Sequence, residues 1–431
     1  MTKQLGFMMG FERKSKRDAA LPPDSLAKLC NELSATFRSA MHRQDYTLAR
    51  KTCEKVLRIM PSNMLVLSDY ALTLMREGNY LKAYHVYKRI EKAPISQQQQ
   101  ASSTWLDGLA EVCGWLGKTT ELKEYGGRSL RIADATYSQG LSWNVTDKEG
   151  HSSLNPDATK NIISFSLFGS QPKYCETIVK NVSIAKELYP GWTCRVYLDN
   201  TVPDHTWRRL ITFDAQLIDM SSDKSLAQTM WRFLVMDDKT VERFIIRDAD
   251  ALISERESAA VKEWISSGKC FHHMRDYFTH TDLMLAGMWG GINGIFPRLY
   301  PMMQDFVRKY NGNIRFTDQA FLRKVLWPTV RKSLLSHDEI FGFHQPVSWP
   351  KHEAIRWNID NFHVGSNISY SKIGNTSCLP DGEIQKVCLE INNQCYCYEV
   401  KVHSGRWTLE MPFFLIKDYQ DGIIKIMEID N

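Results

Sequence analysis

Residues 243–251 read Arg-Phe-Ile-Ile-Arg-Asp-Ala-Asp-Ala. An apolar run that ends in Asp248-x-Asp250 can bring two carboxylates to one end of a strand, where both turn toward a single cation. Hard oxygen donors suit Mg²⁺ or Mn²⁺, and those ions keep coordination positions for phosphate oxygens. Such a pair can hold a nucleotide diphosphate and neutralise its charge as it leaves. Asp-x-Asp alone also describes a solvated turn; its place at the end of an apolar strand is what favours chemistry. Rival chemistries lack their signatures: there is no G-x-x-x-x-G-K-[S/T] loop, no G-x-G-x-x-G after a strand, no H-E-x-x-H and no G-x-S-x-G.

The elements that must position this pair alternate. An apolar strand over 161–169 ends at Gly169 and is followed by a helix over 173–189, stopped by Pro190-Gly191. Strands are expected over 193–199 and 215–220. A helix carrying Met230, Trp231, Arg232, Phe233 and Leu234 leads into the strand 241–247. Alternating strand and helix imply an α/β domain with a largely parallel sheet, whose ligands gather at the carboxyl ends of the strands.

Ahead of this domain, residues 25–137 read as helical and repetitive. Tyr46 and Ala49 recur as Tyr80 and Ala83, 34 positions later, which is the tetratricopeptide period. A small Ala lets two helices approach, and Pro61 and Pro94 close the units. A degenerate third unit follows Gly117-Lys118, after an insertion over 94–100 whose glutamine run is expected to be a solvated loop. Residues 138–160 are the linker candidate. Residues 371–431 have β character, with Asn392-Asn393 and Ser404-Gly405 as hairpin turns, and are expected to form a small antiparallel appendage.

Composition bounds the rest. A 431-residue chain predicts about two to three domains. Its 54 Lys+Arg against 49 Asp+Glu give +5, too little to make nucleic acid the main partner. No stretch is long and apolar enough to span a bilayer. Residues 1–24 read as a basic disordered tail, with weak contact to an anionic membrane surface as the sharper alternative. Ten scattered cysteines are expected to be reduced, buried thiols of a cytoplasmic protein, and the sequons at Asn144, Asn181, Asn367 and Asn375 to be chance matches.

From these residues the segment 161–365 resembles a GT-A-fold (Asp-x-Asp) glycosyltransferase of the retaining, family-8-like kind. Residues 163–168, with Phe165, Ser166 and Phe168, match the first strand, which in that fold lies against nucleobase and ribose. Tyr189-Pro190-Gly191-Trp192 resembles the step into the second strand. Trp231-Arg232-Phe233-Leu234 matches the helix whose Arg approaches the nucleotide, with Arg195 a more remote candidate, and Asp248-Ala249-Asp250 matches the metal motif. The resemblance further implies that Asp276, Gly287, Trp289 and Gly290 shape the donor-sugar site, though Gly290-Gly291 also reads as a turn and Asp276 as an ion-pair partner of Arg275 or Arg247. It places Asp318 and Gln319 at the reacting carbon, while Asp318 also reads as a helix cap. Phe362-His363-Val364-Gly365 is similar to a late His-x-x-Gly element that completes the metal site, one residue short, which makes His363 the third candidate ligand. His337 reads as an ordinary core or surface histidine.

The expected architecture is therefore a GT-A-type α/β domain over 161–370, an all-α tetratricopeptide-like domain before it and the β appendage after it. The implied activity is transfer from a nucleotide sugar, a UDP-sugar foremost, to a glycan or protein acceptor with Mn²⁺ or Mg²⁺. The helical repeats would dock the acceptor or a protein partner. The alternative is a non-catalytic scaffold that binds partners through its repeats.

Overall fold

A computed structural model describes residues 23–145, 152–366 and 370–429. The basic tail, the middle of the linker and Asn367 lie outside the described residues. Two compact units form. One comprises the chain up to 134 with 278–281 and 340–343; the other comprises 135–277, 282–339 and the chain from 344.

In the first unit, helices α1 (Pro23–His42), α2 (Tyr46–Ile59), α3 (Met64–Arg76), α4 (Tyr80–Glu91), α5 (Ile95–Gln98), α6 (Trp105–Trp115) and α7 (Thr119–Tyr137) follow one another. Asp45 and Asn63 cap α2 and α3 by accepting from the backbone N–H of Leu48 and Val66. Ala49 and Ala83 are fully buried, and Tyr87 lies against Gly108, where a Cβ would come within 2.2 Å of its hydroxyl. The turns before α2, α4 and α7 carry left-handed residues at Gln44 (φ 59°), Gly78 (φ 77°) and Gly117 (φ 66°). The first interval is 78 − 44 = 34 positions and the second 117 − 78 = 39, the difference being the insertion that holds α5. That insertion is solvated as expected at Gln97, Gln99 and Gln100, but Gln98 is buried and its amide donates to the carbonyls of Glu91 and Ala93 at 2.8 Å.

The second unit is built on a seven-stranded sheet. Its strands are β1 (Asn161–Leu167), β2 (Thr193–Leu198), β3 (Gln216–Asp219), β4 (Arg243–Arg247), β5 (Phe271–Arg275), β6 (Met288–Ile292) and β7 (Leu334–Asp338), in the order β3-β2-β1-β4-β6-β5-β7. Only β6 runs antiparallel to its neighbours. All seven residues of β1 are buried, the mark of a strand covered on both faces. Helices α8 (Pro172–Leu188), α9 (Asp204–Thr212), α10 (Glu255–Ser267) and α11 (Leu299–Lys309) connect the strands. The segment around Trp231 is a 3-10 helix over Gln228–Asp237 rather than an α-helix. The short helices α12 (Thr317–Phe321) and α13 (Trp327–Val330) flank a π-helical turn.

The C-terminal strands β8 (Tyr370–Thr376), β9 (Ile384–Ile391), β10 (Gln394–Lys401), β11 (Arg406–Pro412) and β12 (Lys425–Ile429), with α14 (Phe413–Gln420), make two antiparallel sheets, β10-β9-β12 and β11-β8. Both expected turns form, with positive φ at Asn392, Asn393, Ser404 and Gly405; the second leads from one sheet into the other. These strands do not stand apart as an appendage. Val387, Leu389, Tyr398, Trp407, Leu409 and Met411 share one apolar cluster with Ile178, Val182, Ile163 and Trp264. Burying each large side chain there contributes roughly 1.5–3 kcal/mol. The cysteines also depart from expectation: Cys388 and Cys397, opposite each other on β9 and β10, are disulfide-bonded, and Cys378 and Cys395 are exposed. Asn181 is fully buried and Asn375 and Asn144 are exposed. No described helix is long and apolar enough to cross a membrane.

Candidate active site

The chain leaves β1 toward β2 on one side and comes back to β4 on the other, so the strand order reverses between β1 and β4. Connections diverge there and leave a crevice at the carboxyl ends of the two strands. Phe168 follows β1 and Asp248 follows β4 at this point.

The end of β4 is held from below. Arg247 is buried, with Nε donating to Glu257 Oε1 at 3.0 Å, and Tyr189 donates its hydroxyl to the same oxygen at 2.7 Å. Asn181 on α8 donates to the Ala251 carbonyl at 2.8 Å and accepts from Ile253 N–H at 3.0 Å. Asp248-x-Asp250 is thus clamped on both sides by buried groups. The motif itself is half-buried. Burial and the charge of Asp248 push Asp250 up to about 6, against the opposing charges of Lys173 and Arg232. Two like charges held this close favour a proton or a cation.

Arg232 is the hub. Ser164 and Ser166 of β1 fix its backbone: Ser164 Oγ donates to its carbonyl at 2.7 Å and its N–H donates to Ser166 Oγ at 2.9 Å. The residue is 4% exposed. Nη1 donates to Asp248 Oδ1 and to the Arg247 carbonyl, and Nη2 donates to Asp318 Oδ2 at 2.9 Å. Burial raises the Asp318 carboxyl and Arg232 holds it down, while Asp248 pushes it up. Asp318 also accepts from Gln319 N–H at 2.8 Å, but it lies in the first turn of α12, whose cap position is Phe316, so it is not the helix cap expected.

Gln319 fixes the loop between β5 and β6. Its amide donates to the Met284 carbonyl and its oxygen accepts from Ala286 N–H at 3.0 Å. His273 Nε2 accepts from Leu285 N–H at 3.0 Å, and Arg275 donates to the Asp282 carbonyl. The loop brings Gly287 onto Asp248, where a Cβ would sit 1.9 Å from Oδ2. Only glycine permits that approach.

Asp248, Asp250, Arg232, Asp318, Gln319, Gly287, Ser166 and Phe168 therefore gather around one crevice. Others do not reach it. Phe165 and Trp289 are fully buried; Trp289 packs edge-on to Phe233 and Phe244, and Gly290 lies in the β6–β4 ladder opposite Ile245. Arg195 pairs with Asp238 at 2.9 Å, in the middle of β2. Asp276 lies beside the Val364 backbone and Arg256. Its Oδ2 accepts from Val364 N–H at 3.0 Å and lies 3.7 Å from Arg256 Nε, and burial pushes it up to about 7. His363 is stacked on Tyr277 with ring centres 3.7 Å apart, and its Nδ1 contacts the Asn361 carbonyl.

Among the described residues no three His, Cys, Asp or Glu side chains come together to hold a metal ion. The expected set of Asp248, Asp250 and His363 is thus not assembled. The two carboxylates alone fit a hard divalent cation that fills its other positions with phosphate or water oxygens. His337 is a core histidine: Nδ1 contacts His272 Nε2 at 2.9 Å and Nε2 contacts Glu263 at 3.0 Å.

Sequence reasoning missed Lys173 and Tyr174, in the first turn of α8. Lys173 opposes the raised Asp250, and burial, together with the Asp250 charge, pushes up the half-buried Tyr174 hydroxyl. Lys173 also pairs at 2.5 Å with Glu410 of β11, tying the C-terminal strands to the crevice. Their signal was position alone, in the turn after the first strand.

No family profile matches the sequence, and no curated protein matches it. Among solved structures, a mutant O-GlcNAc transferase of Thermobaculum terrenum is similar at 14% identity and a TM-score of 0.28, over 53% of this chain and 47% of that one. This chain thus spans about half the length of that structure, and a likeness so slight carries no argument about fold or activity.

Proposed function

We propose that this protein is a glycosyltransferase that uses a nucleotide-activated sugar. The observation that supports it is the convergence, at the point where the strand order reverses, of Asp248-x-Asp250, Arg232, Asp318 and the Gly287 loop. In this reading Asp248 and Asp250 would hold Mn²⁺ or Mg²⁺, which when bound would supply positive charge toward a diphosphate leaving group. Phe168 and Ser166 border the nucleoside. Arg232 fixes the orientation of Asp248 and Asp318 and sets a positive charge beside both. Gly287, with no side chain, lets the loop before β6 close onto Asp248 and border the donor sugar. Asp318, beside the reacting carbon, stabilises the positive charge that develops there. His363 takes no part in holding the metal, and Asp276 supports the Val364 backbone from outside the crevice. The helical repeats dock a glycan or protein acceptor.

The test is release of nucleoside diphosphate from UDP- and GDP-sugars with and without Mn²⁺. Asp250→Asn should lower turnover by roughly 10²–10³-fold, and unchanged turnover removes the metal assignment.

One observation favours the scaffold reading. Arg232 already ties up Asp248 Oδ1 and Asp318 Oδ2, as it would in a crevice that binds no cation. Calorimetry with Mn²⁺ and UDP separates the two, since a scaffold gives no metal-dependent heat.

A further inference from the structure

The turn between β1 and α8 is braced by the C-terminal strands. Ser170 Oγ donates to the Glu399 carbonyl at 2.9 Å, and the Glu410 N–H donates to Gln171 Oε1 at 3.1 Å. These two bonds tie the turn to β10 and β11 without any charged group. The Lys173–Glu410 ion pair comes in addition to them. Lys372 Nζ stands 3.7 Å from the other Glu410 oxygen, so Glu410 keeps a counter-charge when Lys173 turns away. A lysine suits such an exchange, because its ammonium is a compact charge on a flexible four-carbon stem.

The alternative position for that ammonium lies beside it. In the β1–β4 ladder Ser164 stands level with Ile246. The turn after Leu167 and the Asp248–Asp250 turn therefore leave neighbouring strands at the same end of the sheet. Lys173 Nζ is 4.7 Å from the centre of the Tyr174 ring, whose hydroxyl is raised by burial and by the Asp250 charge.

Charge balance supplies the reason to move. Asp248, Asp250 and Asp318 bring three carboxylates to the crevice, and Arg232 answers with one guanidinium that already pairs with Asp248 and Asp318. A divalent cation offsets the remaining two charges and leaves the diphosphate of an incoming nucleotide sugar uncovered. A further cation is needed for that diphosphate, and Arg232 is committed elsewhere.

On the basis of the transferase reading, we propose that Lys173 binds the donor diphosphate, exchanging a Glu410 oxygen for a phosphate oxygen. Glu410 is then a positioning residue: it holds the ammonium at the mouth of the crevice until the donor enters. Bonds from an ammonium to phosphate are charge-assisted and strong. Because the Glu410 pair has to open first, Glu410 lowers the affinity for the ligand whose partner it keeps in place.

Calorimetry of the full chain with UDP and GDP, in the presence of Mn²⁺, tests this. Lys173→Met should weaken nucleotide binding by roughly tenfold or more. Glu410→Gln releases the ammonium and should tighten binding by roughly two- to fivefold. The opposite signs are the decisive readout. A pair that only holds β11 to α8 would lower the unfolding midpoint in both variants and move the affinity in the same direction or not at all. If Lys173→Met does not fold, the sign given by Glu410→Gln still decides. No heat with either nucleotide in the wild type removes the transferase reading and this assignment with it. Binding by the wild type that Lys173→Met leaves unchanged, or that Glu410→Gln weakens or leaves unchanged, overturns this assignment alone.

Discussion

The helical repeats and the α/β unit bury different things. In the repeats the interior is mainly apolar, with Ala49, Ala83, Leu109 and Leu130 inaccessible and Tyr87 and Trp105 buried. Charged pairs such as Arg50–Glu77 and Arg50–Glu54 stay partly exposed there and are worth little. The α/β unit instead buries Arg232, Arg247, Arg275, Asp318, Asp338, Glu257, His272 and His337. Taking charges out of water costs stability unless each finds partners. A fold that needs only to stand has no reason to do this. The difference lies in the interiors: the sheet unit holds paired charges out of water, and the helical unit keeps such pairs partly exposed.

The largest expected effect comes from cutting the hub. Arg232→Met leaves Asp318 buried without its counter-charge, and urea unfolding should show a loss of about 3–5 kcal/mol. A loss no larger than that of an exposed pair would erase the contrast drawn above.

The next concerns pH. Burial holds Asp276 up at about 7, so between its unfolded value near 3.9 and about 7 the folded state binds the extra proton. Stability from this group is present at low pH and lost as pH rises through that window. Asp276→Asn keeps the acceptor for Val364 N–H and removes the titration. Relative to wild type it should gain up to roughly 4 kcal/mol between pH 4 and pH 8. Burial depresses His272 and His337 instead. Their contribution runs oppositely, present above about 6.5 and lost as pH falls below it; it remains in both proteins and cancels in the difference.

In the repeats the effects are smaller and steric. Ala83→Leu overfills a closed helix contact and should cost about 1–3 kcal/mol. Gly78→Ala meets no neighbour within 4 Å, so only its φ of 77° opposes it. The expected loss is about 1 kcal/mol, visible in thermal unfolding. A larger loss would mean that the turn does more than reverse the chain.

How much was legible in the sequence follows from the range of each interaction. The helix hairpins were readable because Tyr46, Ala49, Tyr80 and Ala83 repeat within one packing period. Strands β1 to β4 were readable because apolar runs ended at Gly, Pro or Asp. The C-terminal strands were readable one by one, but their union with α8 in one core was not, since that depends on contacts such as Glu410 with Lys173. Trp289 was misplaced because an aromatic beside two glycines looks the same in a crevice as in a core. His363 stacks on Tyr277 instead of joining the carboxylates, a choice made by neighbours far along the chain.

The sequence by itself determined the local terms: the 34-residue period, the alternation of strand and helix, and two aspartates at the end of an apolar strand. Tertiary structure alone decided the partners. It set Arg232 between Asp248, 16 residues away, and Asp318, 86 residues away. It laid Gly287 on Asp248, and it set Lys173 against Glu410. Periodicity is written in neighbours three, four or two residues apart. The pairing of buried charges depends on which strand ends meet, and that is settled only when the sheet closes its order.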